Sequence, residues 1–203
     1  MHDKSVLFIQ TSQADMVRNN EFDTIYHEHL SFFCANSMNE LAKRAGLYLI
    51  DIRKTPIHGN SYVFVFSKSP RGSTAVEMVL NEERDAGLNT PATYVEYARK
   101  AQKAVADLKE VIMAYRTEGF VIAGYGAAAK GMTLLNFGNI TLDFIIDDNP
   151  LKQGRFSPGM RIPVVGINEL DKYKDANIAF VPLAWNFFDE IKRNIKLKRD
   201  NTE

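Results

Sequence analysis

The spacing of apolar residues changes twice along the chain, and each change marks a different kind of segment. "VLFIQ" (residues 6–10) is a short continuous apolar run, which predicts a buried-type strand. "ANSMNELAKRAG" sets Met38, Leu41, Ala42 and Ala45 on one helical face. Ser37 reads as its N-cap, Glu40 as the fourth residue of a Ser-x-x-Glu capping box and Gly46 as its stop. "LYLIDIRK" predicts a strand with Leu47, Leu49 and Ile52 among its apolar positions. "SYVFVFSK" alternates strictly, with Tyr62, Phe64 and Phe66 on one face and Val63 and Val65 on the other. The short link "TPIHGN" between these two strands predicts an antiparallel hairpin.

From Ser69 to Glu118 the period becomes helical. A first helix is bounded by Ser73 as cap and Gly87 as stop, and a second starts at Thr90 with Pro91 in its first position. In the second helix Tyr94, Ala98, Ala101, Val105, Leu108, Ile112 and Tyr115 form one stripe. Its ~27 residues make a rod of roughly 40 Å. From Gly119 onward, strand patterns alternate with helical ones, as in a small parallel α/β layer. The expected fold class is α/β. Its parts are a partial methyltransferase-like sheet over 1–69, a helical connector over 70–118 and a Rossmann-like C-terminal domain over 119–203.

Composition narrows the function classes. The 25 basic and 25 acidic side chains balance to a formal net charge of zero, which argues against a nucleic-acid partner. The basic tail "EIKRNIKLKRD" suits the negative end of a helix. No apolar run approaches the ~20 residues that span a bilayer, and the first residues do not form a signal peptide. The expected location is therefore cytoplasmic. The single cysteine, Cys34, excludes a disulfide framework and a thiolate zinc site.

Three stretches carry possible chemistry. "GYGAAAKG" matches Gly-x-Gly-x-x-Ala through Gly124, Gly126 and Ala129, with Asp147 and Asp148 about 20 residues on. Such a turn either admits a phosphate, with Lys130 as a cation and Asn186 at the same sheet edge, or only joins strand to helix. "YHEH" (residues 26–29) has three readings. His27 and His29 could ligate a metal from a strand, although no acid or cysteine cluster supports it. A histidine could act as general base with a carboxylate and a phenol beside it. The motif could also be only a solvated helix start. His58 and Gly59 lie in the turn of the predicted hairpin.

Taken in order, "NNEFDTIYHEHLSFF", "GLYLIDIRKTPIHGNSYVFVFSK", "GYGAAAKGMTLLN", "DDNPLKQGRFSPGMRIPV" and "AWNFFDEI" resemble the sugar C-methyltransferases over nearly the whole chain. The resemblance implies an S-adenosylmethionine-dependent enzyme acting on a nucleotide-linked keto-sugar. It also implies that this chain matches the last part of such an enzyme. The zinc-binding region and the glycine loop of the methyl-donor site would then belong to a missing N-terminal methyltransferase half. By the family's Tyr-x-Glu-His motif, His29 is the expected general base, Tyr26 and Glu28 assist, His27 carries no role, and no metal is involved. His58 and Gly59 match a His-Gly turn that lines the substrate pocket, and Asn60 stands where the family often has glycine. The alternative reading is a non-catalytic module that binds a nucleotide-sugar or completes another subunit.

Overall fold

A computed structural model describes residues 2, 4–11, 15–56 and 60–200. The chain divides into two compact units, residues 1–22 with 27–100 and residues 23–26 with 101–203. The division falls inside the long helix.

The first unit is built on a three-stranded antiparallel sheet of β1 (Val6–Thr11), β2 (Tyr48–Thr55) and β3 (Ser61–Ser67), in the order β1-β3-β2. β3 is the central strand. Its strict alternation puts Tyr62, Phe64 and Phe66 on one face, where they are nearly fully buried. In β2 the register slips between Leu49 and Asp51, so the strand carries a bulge there. The bulge explains how Leu49 and Ile52, three apart, both reach the same core. α1 (Ala35–Arg44) and α2 (Thr74–Asp85) supply Met38, Ala42 and Val76 to that core. β1 pairs with β3 alone, at the end of the sheet, and Phe8 is 59% exposed.

Helix boundaries follow local chemistry, with one correction. Ser73 caps α2 by accepting from the Val76 N–H, and Gly46 and Gly87 follow α1 and α2 with φ of 67° and 68°. Helix α1, however, begins three residues earlier than the expected cap at Ser37 implies. Cys34 is its N-cap, and Ser37 occupies the third helical position, its hydroxyl accepting from the Cys34 N–H at 3.0 Å. Glu40 takes no part in the cap and pairs with Lys43. The earlier start is stabilised from outside the helix, because the carboxylate of Glu83 accepts the Ala35 and Asn36 N–H groups at 2.6 and 2.9 Å. Helix α3 runs over Pro91–Thr117 as expected. Its buried stripe passes through Tyr97, Ala101, Val105 and Ile112, whereas Tyr94, at the head of the expected stripe, is 44% exposed.

The second unit holds a parallel sheet of β4 (Val121–Tyr125), β5 (Phe144–Ile146), β6 (Val164–Val165) and β7 (Ile178–Pro182), in the order β6-β5-β4-β7. α4 (Ala129–Gly138) follows β4, and α5 (Phe188–Asp200) follows β7. The apolar runs of β4 and β5 leave Ile122, Ala123, Ile145 and Ile146 fully buried, as both faces of a parallel sheet require. The expected α/β class is the observed one.

Candidate functional site

The Tyr-His-Glu-His motif lies in irregular backbone ahead of α1. His27 and Glu28 are exposed, and His29 is half-buried. The His29 ring stands edge-on to Phe32, with centroids 6.1 Å apart. Tyr26 groups with the second unit and His27 to His29 with the first. Among the described residues no group of three or more His, Cys, Asp or Glu side chains could hold a metal ion.

Phe32 also lines an open cavity of about 750 Å³ in the first unit. Its walls come from the residues leading into α1, the end of α2 and the first turns of α3. Tyr62 and Tyr97 are nearly fully buried against it. Burial pushes the Tyr62 phenol up to about 12, and the nearby carboxylates of Glu83 and Asp15 add to the effect. Burial likewise raises Tyr94, whose hydroxyl donates to the Leu88 carbonyl at 2.9 Å. Both phenols therefore remain hydrogen-bond donors at neutral pH.

His58 and Gly59 lie outside the described residues. The end of their turn is nevertheless held in place. Asn60 has φ of 111°, a conformation natural to glycine. Its amide donates to the buried carboxylate of Asp15 at 2.9 Å, and Asp15 also pairs with Lys54 at 2.7 Å. Asparagine thus offsets its backbone strain with a side-chain bond that glycine cannot make. Asn60→Gly is expected to change stability by less than about 0.5 kcal/mol, and Asn60→Ala, which keeps the strain and loses the bond, to cost about 1–2 kcal/mol. Denaturant unfolding of the two variants side by side checks this.

At the second unit's sheet edge, Gly124, Gly126, Lys130, Asp147 and Asn186 come from β4, the β4–α4 turn, α4, the end of β5 and the turn after β7. Their immediate contacts are internal. A side chain at Gly126 would meet the Ala184 Cβ at 2.5 Å, and one at Gly124 would meet Leu142 and Leu183 at 2.9 Å. The carboxylate of Asp147 accepts the Ala127 N–H at 2.7 Å and the Asn149 N–H at 2.9 Å, and it pairs with Lys152 at 3.1 Å. Asp147 therefore fastens the glycine turn to the next strand. Lys130 places its ammonium 4.6 Å from the Trp185 ring centroid. Asn186 is exposed. Tyr125, at the end of β4, donates to Asp148 at 2.9 Å. Among the described residues this is the turn in which glycines open a helix from a parallel strand. Its glycine space is filled by Ala184 and Leu183.

Tyr125 gives a pH test of the second unit, and Tyr62 gives one of the first. Burial, with Asp148 adding to it, raises the Tyr125 phenol from 10.0 to about 12. Below pH 10 both the folded and unfolded chains hold each phenolic proton. Between about pH 10 and 12 only the folded chain keeps it, so stability is whole below pH 10 and falls as pH rises through that window. Tyr62→Phe and Tyr125→Phe are each expected to flatten the alkaline decline of their own unit, measured by unfolding at pH 9 to 12.

An antiparallel-sheet unit and a parallel-sheet unit flanked by helices define a chain of the α/β class. The family is given by comparison. Residues 56–202 match the model of the C-methyltransferase C-terminal domain, and the chain belongs to that family. It is also 34% identical, over 190 residues, to the C-methyltransferase NovU of Streptomyces niveus. That alignment covers 90% of this chain and 44% of the relative, so the chain spans less than half the length of that protein.

Asp15, Glu83 and Tyr97 are the residues that the sequence pattern does not single out. Tyr97 carries a readable signal, since it continues the spacing of Ala101 and Val105 by four residues. Asp15 and Glu83 carry none, because the groups that hold them most closely lie 39 and 45 residues from Asp15 and 47 and 48 from Glu83.

Proposed function

We propose that this chain is the C-terminal portion of a sugar C-methyltransferase and that it carries the base for substrate deprotonation. The methyl donor of the complete enzyme is S-adenosylmethionine, held by residues other than those described here. The substrate is a nucleotide-linked keto-sugar, and the enzyme works in the cytoplasm. His29 removes a proton from the carbon next to the ketone. The carbonyl acidifies that position, and a neutral imidazole has the pKa to accept the proton near neutrality. Tyr26 donates to the developing enolate oxygen, and Glu28 steadies the imidazolium. The enolate carbon is then the nucleophile that a methyl donor requires.

The observation that carries this reading is the position of His29. Of the two histidines in the motif, it is the half-buried one, and its neighbour Phe32 is a wall of the cavity. The family match supports the reaction class. The test is exchange in D2O. The chain, joined with the remaining methyltransferase portion and given a nucleotide-linked keto-sugar but no methyl donor, is expected to place deuterium on one carbon beside the ketone. Absence of exchange in an enzyme that still methylates would remove the stepwise base from the proposal.

A further inference from the structure

We propose that Trp185 and Lys130 are positioning residues for Tyr26, acting through Asp23. The inference rests on the reading above for what Tyr26 does. Its structural part stands on contacts within the second unit.

Residues 23–26 group with residues 101–203, so the segment that carries Tyr26 is packed in the second unit. Thr24 is nearly fully buried, and the Tyr26 N–H donates to the Thr24 carbonyl at 3.1 Å. Beyond the single turn at Phe22–Thr24 the segment is neither strand nor helix. Such a segment holds a reacting group in place when a side chain ties it to a rigid element. Asp23 supplies that tie. Its carboxylate accepts the Trp185 indole N–H at 2.7 Å, across 162 residues of chain. Trp185 opens the short turn Trp185–Phe187 between β7 and α5. The Lys130 ammonium stands 4.6 Å from the centre of the same indole. A cation over the face draws electron density from the ring and strengthens the N–H as a donor. A carboxylate acceptor strengthens the bond again. The indole is therefore set between two opposite charges.

The glycine turn is what lets ring and ammonium meet. A side chain at Gly131, next to Lys130 in α4, would meet the Leu183 Cβ at 2.6 Å. One at Gly126 would meet the Ala184 Cβ at 2.5 Å. The two glycines bring the start of α4 against the residues directly before Trp185. The product of "GYGAAAKG" in this fold is thus a seated Lys130–Trp185 pair, with Asp23 fastened to its edge. Tyr26 lies three residues after Asp23. A phenol that donates to a developing oxyanion contributes only within hydrogen-bond reach, so a shift of about 1 Å removes much of its effect.

Two readouts test this. The first is NMR relaxation of the Tyr26 amide in the full chain. Asp23→Ala and Trp185→Phe are each expected to lower its order parameter from the rigid range near about 0.85 toward about 0.6, with the amides of β4 and β5 unchanged. The chain's one tryptophan gives one indole N–H signal, which Asp23→Ala is expected to shift and Asp23→Asn, which keeps an acceptor oxygen, to shift less. The second is deuterium exchange into a nucleotide-linked keto-sugar by the chain joined with the remaining methyltransferase portion. Trp185→Phe and Asp23→Ala are each expected to lower the rate at saturating sugar by about tenfold, with KM little changed. The double variant is expected to fall no further, and Asp23→Asn to recover most of the rate. Lys130→Ala is expected to cost about threefold. In a Tyr26→Phe background, Trp185→Phe is expected to have no further effect. The same tenfold loss in that background would overturn the proposal, because the effect would bypass Tyr26. An unchanged Tyr26 order parameter in both Asp23→Ala and Trp185→Phe would overturn it as well. Exchange that survives His29→Ala would remove the base reading, whereas a lowered Tyr26 order parameter in the two anchor variants would still uphold the anchor.

Discussion

Alanine at position 29 is expected to lower solvent-deuterium exchange into a nucleotide-linked keto-sugar by about 10²–10⁴, the usual effect of removing a general base. Alanine at position 27 is expected to change it little. The contrast is sharp because the two histidines are separated by one residue and carry the same imidazole. They differ in surroundings. His27 is exposed, whereas His29 is half-buried with its ring against Phe32. A base needs a fixed position more than it needs basicity, since the proton must lie within hydrogen-bond reach. Exchange is the right assay because it isolates proton removal from methyl transfer. Equal losses in the two variants would mean that the pair acts together, through a relay or a shared ion. No loss in either would place the base elsewhere, with His58 the next residue to replace.

Glu83→Ala is expected to destabilise the first unit by about 3–5 kcal/mol. The side chain is 3% exposed and accepts the N–H groups of Ala35 and Asn36. Removing it leaves two amides at a buried helix start without acceptors, and Ala35 is fully buried. Glu83→Gln supplies one carbonyl oxygen but turns an NH2 toward the second amide, so it is expected to recover about half of the loss. With two units in one chain, a single unfolding free energy is not well defined. Hydrogen exchange of the α1 amides reads the effect where it occurs. Protection of α1 falling in Glu83→Ala while β4 and β5 keep theirs is the expected outcome. Unchanged α1 protection would show that the carboxylate contributes nothing to the cap.

The elements whose causes are local were legible in the sequence. The alternation of β3, the Pro91 start of α3 and the glycine stops of α1 and α2 are set by neighbouring residues, and they stand where the pattern puts them. The start of α1 was not legible, because its stabilising carboxylate comes from α2, 47 and 48 residues away. The β2 bulge shows in the sequence only as an odd spacing between Leu49 and Ile52. The Gly-x-Gly turn joins β4 to α4, the strand-to-helix step that its spacing reads as. What the glycines contact was hidden, since Leu183 and Ala184 come from the turn just past β7, more than 50 residues on. A motif fixes backbone shape, but the partner that fills the freed space is chosen by topology. The cavity was invisible for the same reason, as its walls are gathered from separate elements.

Cys34 is the chain's one thiol, and it doubles as the N-cap of α1 and part of the cavity wall. Its sulfur lies 3.5 Å from the Ser37 N–H, a contact that an alkylated sulfur would have to give up. Its reactivity is therefore a native probe of the first helical turn. The rate at which a maleimide or disulfide reagent captures this partly exposed thiol reports on the surroundings of the helix start, with no label engineered into the protein. The rate is expected to rise in Glu83→Ala, where the helix start loses its acceptor from α2, so one colorimetric measurement can follow the cap.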